Sequence, residues 1–171
     1  MPPILHQPFW CEENIWHLAA HPAPGAGERR VLVITGAAGE VACWQQRAAR
    51  PGRPVLWDYH VVLAAHDRRW LIWDLDSRLG APLPAQEWLL ATFPAPEQVR
   101  APYQPRFAMF SAQVWRDGFG CDRAHMRRAD GGWQQTPPPW PAIGGQAITL
   151  AAAIAQARAG LDLAALAAAL A

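Results

Sequence analysis

VLWDYHVVLAAHDRRWLIWDLDS, residues 55–77, carries two apolar runs rich in β-branched and aromatic side chains, with the polar HDRRW between them. Runs of this composition joined by a short polar break read as the two strands of a hairpin, over residues 55–66 and 70–76. Alternation puts Asp58, His60 and Val62 on one face of the first strand, and Tyr59, Val61 and Leu63 on the other. A turn centred near Asp67-Arg68 sets His60 opposite Asp74 or a near neighbour, and facing residues of an antiparallel pair approach to about 5 Å. Asp76 shares the face of Asp74. Hairpin geometry therefore leaves either acid open as the partner of His60.

Working outward, residues 31–35 and 40–46 add two more candidate strands, and residues 107–115 a fifth. Ahead of them lies CEENIWHLAA, residues 11–20, where Ile15, Leu18 and Ala19 recur at i, i+3 and i+4 as on the buried stripe of a helix. Glu12 and Glu13 suit the positive end of its dipole, and HPAPGAG at 21–27 ends it. A short helix is expected at residues 85–91. The Ala-rich tail, about 146–171, favours two helices divided at Gly160. A helix, then an antiparallel sheet, then helices make an α+β fold, expected as a single domain over 1–171.

Composition narrows the chemistry. Of 171 residues, 51% are hydrophobic and 17% charged, enough for a packed core. All fifteen basic residues are arginine, so Schiff-base lysines, Walker-type lysines and Ser-Lys dyads are excluded. A net charge of +1 gives no basic footprint for nucleic acid or an anionic membrane. Three cysteines without a CxxC pair, and six histidines without HExxH, argue against a disulfide framework and a zinc site. The first residues lack a basic segment followed by an apolar one, and prolines and glycines break the uncharged stretch at 134–157. The expected setting is a reducing cytoplasm, with no metal, cofactor, nucleic acid or membrane, and the chain as a monomer.

Nucleophilic cysteine chemistry is what remains. Cys43, flanked by strand formers, reads as core, and Cys121, in GFGCDRAHM, as structural. Cys11 opens a helix, where free N–H groups favour a thiolate and can meet an oxyanion, while Glu12 and Glu13 oppose the thiolate if they point inward. His60 is the histidine with a carboxylate in prospect; its alternative reading is a hydrogen-bonded core imidazole. Cysteine, histidine and aspartate in that order match the papain-like and transglutaminase-like enzymes, where a helix N-terminus brings the thiol to a sheet.

CEENIWHL at 11–18, QQRAARP at 45–51, WDYHVVL at 57–63, WDLDS at 73–77, CDRAHM at 121–126 and GGWQQTPPPWP at 131–141 together resemble, in order, the protein N-terminal glutamine amidohydrolase family. The resemblance implies a papain-like or transglutaminase-like α+β core and a Cys11, His60, Asp74 triad, the aspartate falling on the first acid of WDLD. It implies deamidation of an N-terminal glutamine side chain through a cysteine thioester, with peptide N-termini as partners. Such a substrate calls for acceptors of an α-ammonium, for which Glu13, Asp58 and Asp76 are candidates, and for aromatic walls such as Trp57. The competing readings are another cysteine hydrolase (peptidase, transglutaminase or internal-glutamine deamidase) or a non-catalytic peptide-binding module.

Overall fold

A computed structural model describes residues 1–171. Helix α1 (Cys11–Ala20) precedes strand β1 (Arg29–Gly36), the short pair β2 (Val41–Cys43) and β3 (Val55–Trp57), and the hairpin β4 (His60–Asp67) and β5 (Arg69–Trp73). Then come β6 (Leu83–Pro84), α2 (Ala85–Thr92), β7 (Pro105–Ser111), α3 (Ala112–Gly118), β8 (Phe119–Gly120), β9 (Ile148–Thr149), α4 (Leu150–Arg158) and α5 (Leu163–Ala169). The main sheet is antiparallel throughout, in the order β6-β5-β4-β1-β7. This is the expected helix and antiparallel-sheet class. No helix is long and apolar enough to cross a membrane.

Strict alternation along the strands gives the sheet two apolar faces. Val31, Val33, Val61 and Leu63 pack with Ile15 and Leu18 of α1, Trp115 of α3 and Ala153 and Ala157 of α4. Leu32, Ile34, Val62, Ala64 and Ile72 pack with Trp88 and Leu89 of α2 and Leu166 of α5. Burial of each such aliphatic side chain contributes about 1.5–3 kcal/mol. Gly160 parts the tail helices as expected, because a Cβ there would collide with the Phe107 carbonyl of β7.

Three local expectations are corrected. The run 55–66 is two strands, since β3 pairs with β2 in a separate sheet before the chain turns at Asp58-Tyr59 into β4. The fifth strand ends at Ser111, whose hydroxyl caps α3 by accepting from the Val114 N–H. The hairpin register is shifted by two: Asp67 pairs with Arg69 around Arg68 at φ +60°, and the ladder ends at Leu63 with Trp73. Asp74 therefore lies beyond the paired strand and not directly across from His60.

Candidate active site

The site forms at the end of the sheet where β4 begins, β5 has just ended and α1 presents its N-terminus. The helix is started without a side-chain cap at Trp10; instead Asn14, one turn in, exchanges two hydrogen bonds of 2.8 Å with the Gln7 backbone. Trp10 and Gln7 both donate to the Thr136 carbonyl, which clips the lead-in segment to the loop at 131–141. Cys11 is thereby fixed as the first helical residue, almost buried.

His60 is buried at the start of β4, with the Trp57 indole nearly parallel to it at 5.9 Å between ring centres. Its Nε2 lies 2.9 Å from Oδ1 of Asp74. Asp74 is buried as well, and its Oδ2 accepts from Gln46 Nε2 at 2.9 Å and Trp88 Nε1 at 3.1 Å. Burial pushes the Asp74 pKa up, but the His60 charge and hydrogen bond, with those from Gln46 and Trp88, outweigh it and hold the carboxyl below its usual range. Burial likewise works to lower the His60 pKa, and the Asp74 charge and hydrogen bond overcome it, so the imidazole holds its proton more tightly than a free histidine.

The Cys11 thiol is shifted the other way. Burial raises its pKa well above the ordinary thiol value, Glu12 and Asp76 raise it further, and the Val61 backbone opposes them. Burial is thus the leading influence on the thiol, and of the two acids at the helix start Glu12 adds to it.

Cys11 and His60 line one cavity of about 170 Å³. Trp57, Asp58, Tyr59 and Asp76 share its walls, with Phe9 from the lead-in segment and His125, Met126, Gln134 and Gln135 from the loops. The space suits one side chain and a chain end. Of the four residues expected to meet substrate, Trp57, Asp58 and Asp76 are therefore at the cavity. Asp76 also pairs with His6 of the lead-in segment at 3.0 Å. Glu13 is elsewhere: it is fully buried, and its two oxygens take Arg123 at 2.7 Å each and Trp140 Nε1 at 2.8 Å. It ties the 121–140 loop to α1 and is not among the residues that line the cavity.

Of the two acids weighed at the helix start, Glu12 is the one that turns to the sulfur, and it does so in a cluster with Tyr59 and Cys121 that the sequence did not reveal. Glu12 is fully buried, with Oε2 3.7 Å from Cys11 Sγ. The Tyr59 hydroxyl donates to the same oxygen at 2.9 Å and lies 2.9 Å from His125 Nε2. Cys121 approaches the other carboxylate oxygen at 3.9 Å. The usable signal was alternation: Tyr59 is on the face opposite His60, which is the face α1 covers. The nearest sets of possible metal donors, His60 with Asp74 and Asp76, and Glu12 with Cys121 and His125, are committed to hydrogen bonds among themselves and nearby groups, and are read as such.

Residues 6–158 match the family described as N-terminal glutamine amidase. The chain is 35% identical over 149 residues to the protein N-terminal glutamine amidohydrolase of Arabidopsis thaliana, covering 81% of this chain and 67% of that protein. It is 33% identical over 146 residues to the proteins of the same name from Bos taurus, covering 81% and 70%, and Homo sapiens, covering 81% and 71%.

Proposed function

The chain belongs to the N-terminal glutamine amidase family, and from that premise we propose that it hydrolyses the side-chain amide of an N-terminal glutamine in proteins or peptides, giving N-terminal glutamate and ammonia. Cys11 is the nucleophile, His60 its acid–base partner and Asp74 the group that orients His60. The observation that carries this reading is the 2.9 Å contact between His60 and Asp74 behind a cavity lined by both His60 and Cys11. With Nε2 committed to Asp74, Nδ1 is the ring nitrogen left to serve the thiol.

The thiol passes its proton to His60 as the sulfur bonds to the amide carbon, and the carbonyl oxygen becomes an oxyanion. Backbone N–H groups of the first turn of α1 receive that charge, each such donor worth about 3–4 kcal/mol of barrier. His60 then protonates the nitrogen, the C–N bond breaks and ammonia leaves a γ-glutamyl thioester. Water, deprotonated by the same imidazole, cleaves the C–S bond and restores the thiol. The imidazolium formed on the way is the state that Asp74 favours.

Asp58 and Asp76 are the proposed acceptors of the α-ammonium, and Trp57 a wall of the glutamine slot. Asparagine, one methylene shorter, would leave its amide about 1 Å from attack, a loss on the order of a hundredfold. A thiol at a helix N-terminus set against an antiparallel sheet that bears the histidine supports a papain-like or transglutaminase-like core. We read 1–171 as one catalytic domain, acting as a cytoplasmic monomer.

Ammonia release from Gln-, Asn- and acetyl-Gln-starting peptides tests the reading. Release from the Gln peptide alone, absent in Cys11→Ala, is the expected result. Equal release from the acetylated peptide, chain cleavage, or full activity in Cys11→Ala overturns it.

A further inference from the structure

The Cys11 sulfur has a second acid–base neighbourhood, built around Glu12 of its own helix. The S–H group is within donating distance of Glu12 Oε2, at 3.7 Å, and no solvent reaches that carboxylate. Tyr59 donates to the same oxygen, while His125 Nε2 lies 3.5 Å from the other. Both Tyr59 and His125 reach the cavity where the reaction would occur, so the carboxylate is linked to that space through them.

Elementary electrostatics fixes what such a carboxylate does. Ionised, it accepts the thiol proton's hydrogen bond and repels a thiolate across less than 4 Å of protein interior. Protonated, it repels nothing. We propose that Glu12 is a positioning residue that holds Cys11 as a thiol in the resting protein and sets the pH at which the thiolate forms. The role protects a nucleophile that would otherwise stand ready for oxidation, since the thiolate and not the thiol is the reactive form.

The surrounding charges are consistent with a switch near neutrality. Glu13 on the same helix adds negative charge, and from the 121–126 segment come Arg123, which opposes it, with Cys121 and His125. From β4 and the residue before it come His60 and Tyr59; beyond β5, Asp74 and Asp76 act on the sulfur itself. Burial is the largest influence on Glu12 and pushes its pKa up to about 7, against its own backbone N–H and the Tyr59 hydroxyl, which favour the anion.

Site-resolved alkylation tests this. Iodoacetamide needs neither glutamine nor turnover, so the outcome is independent of the substrate proposed above. Cys11 modification is followed by peptide mass spectrometry from pH 5 to 10, in wild type and Glu12→Gln. The expected result is a midpoint lower by at least about one pH unit, seen as roughly tenfold faster modification at pH 7.5. Tyr59→Phe, which removes a bond that favours the Glu12 anion, shifts the rate in the same direction by a smaller factor, and serves alone if Glu12→Gln fails to fold by circular dichroism. An unchanged or raised midpoint in a folded variant overturns the proposal, because a carboxylate that only fills space does not change the ionisation of its neighbour.

Discussion

Asp74 spends its lone pairs on four donors, the His60 ring, Gln46, Trp88 and the Asp76 N–H. Asp74→Asn must turn an NH₂ group toward at least one of them. The expected cost is about 1–3 kcal/mol of stability, read by urea denaturation, from a buried donor left facing a donor. The expected catalytic loss is roughly 10³–10⁴-fold in kcat with little change in KM, the size found when a serine-protease triad loses this charge. Protonation adds a pH prediction. Asp74, held below 3.8, stabilises the fold at higher pH and loses that contribution as pH falls through its folded value. His60, raised above 6.5, stabilises below 6.5 and loses its share as pH rises through its folded value. Glu12, raised from 4.5 to about 7, costs stability progressively between those values, about 3 kcal/mol in all. His17 and His125, which burial holds below 6.5, act the other way and cost stability as pH falls. With Glu12 the largest of these influences, wild type should melt at a lower temperature at pH 8 than at pH 5, and Glu12→Gln should narrow the gap by raising Tm at pH 8. A gap of the same width in the variant counts against a strained Glu12 anion. Residue identity was the legible part of this site: His60 stood out as a histidine in an apolar strand with acids one hairpin away. Glu12 did not, because two adjacent acids at a helix start look alike in sequence, whereas in the fold one binds Arg123 and the other flanks the sulfur.

At the level of elements, α1 was readable from its 3.6-residue stripe and the β4–β5 hairpin from two apolar, β-branched and aromatic runs joined by a polar break. The register was not. A turn with Arg68 alone at its apex leaves no sequence mark that distinguishes it from a two-residue turn. The His60–Asp74 contact survives the two-residue slip because Asp74 follows the end of β5 and is placed by Gln46 and Trp88, outside the ladder. Helix α3 was hidden for a related reason: the apolar run 107–115 continues past Ser111, and only the serine's capping hydroxyl marks the change of period. Arg68 holds a left-handed conformation that an L side chain adopts at a cost of about 1–2 kcal/mol. Arg68→Gly, exposed and remote from the cavity, should recover part of that and raise Tm by a few degrees with kcat unaltered. A lower Tm would mean that the arginine side chain does more for the turn than glycine's freedom.

The whole molecule is a sheet with a separate apolar layer on each side, and the class of fold was legible because both layers are written as alternation in the same strands. Their assignment to particular helices was not, since Ala-rich segments such as 150–158 and 163–169 have little pattern to give them a direction. Leu166 of α5 is fully buried in the layer with Trp88, beyond the residues matched by the family. Leu166→Ala should cost about 2–5 kcal/mol, measured by chemical denaturation. Cys11 belongs to one layer, whereas His60 alternates with Val62 and Ala64 of the other and Asp74 is braced there by Trp88. The proposed reacting atoms thus hang from opposite sides of a common partition, and their separation gauges how tightly both sides are clamped. Under rising urea, turnover should fade at concentrations where far-ultraviolet ellipticity still holds its native value, because either side need only loosen by a fraction of an ångström. Coincident curves would instead mark a molecule that comes apart in a single step.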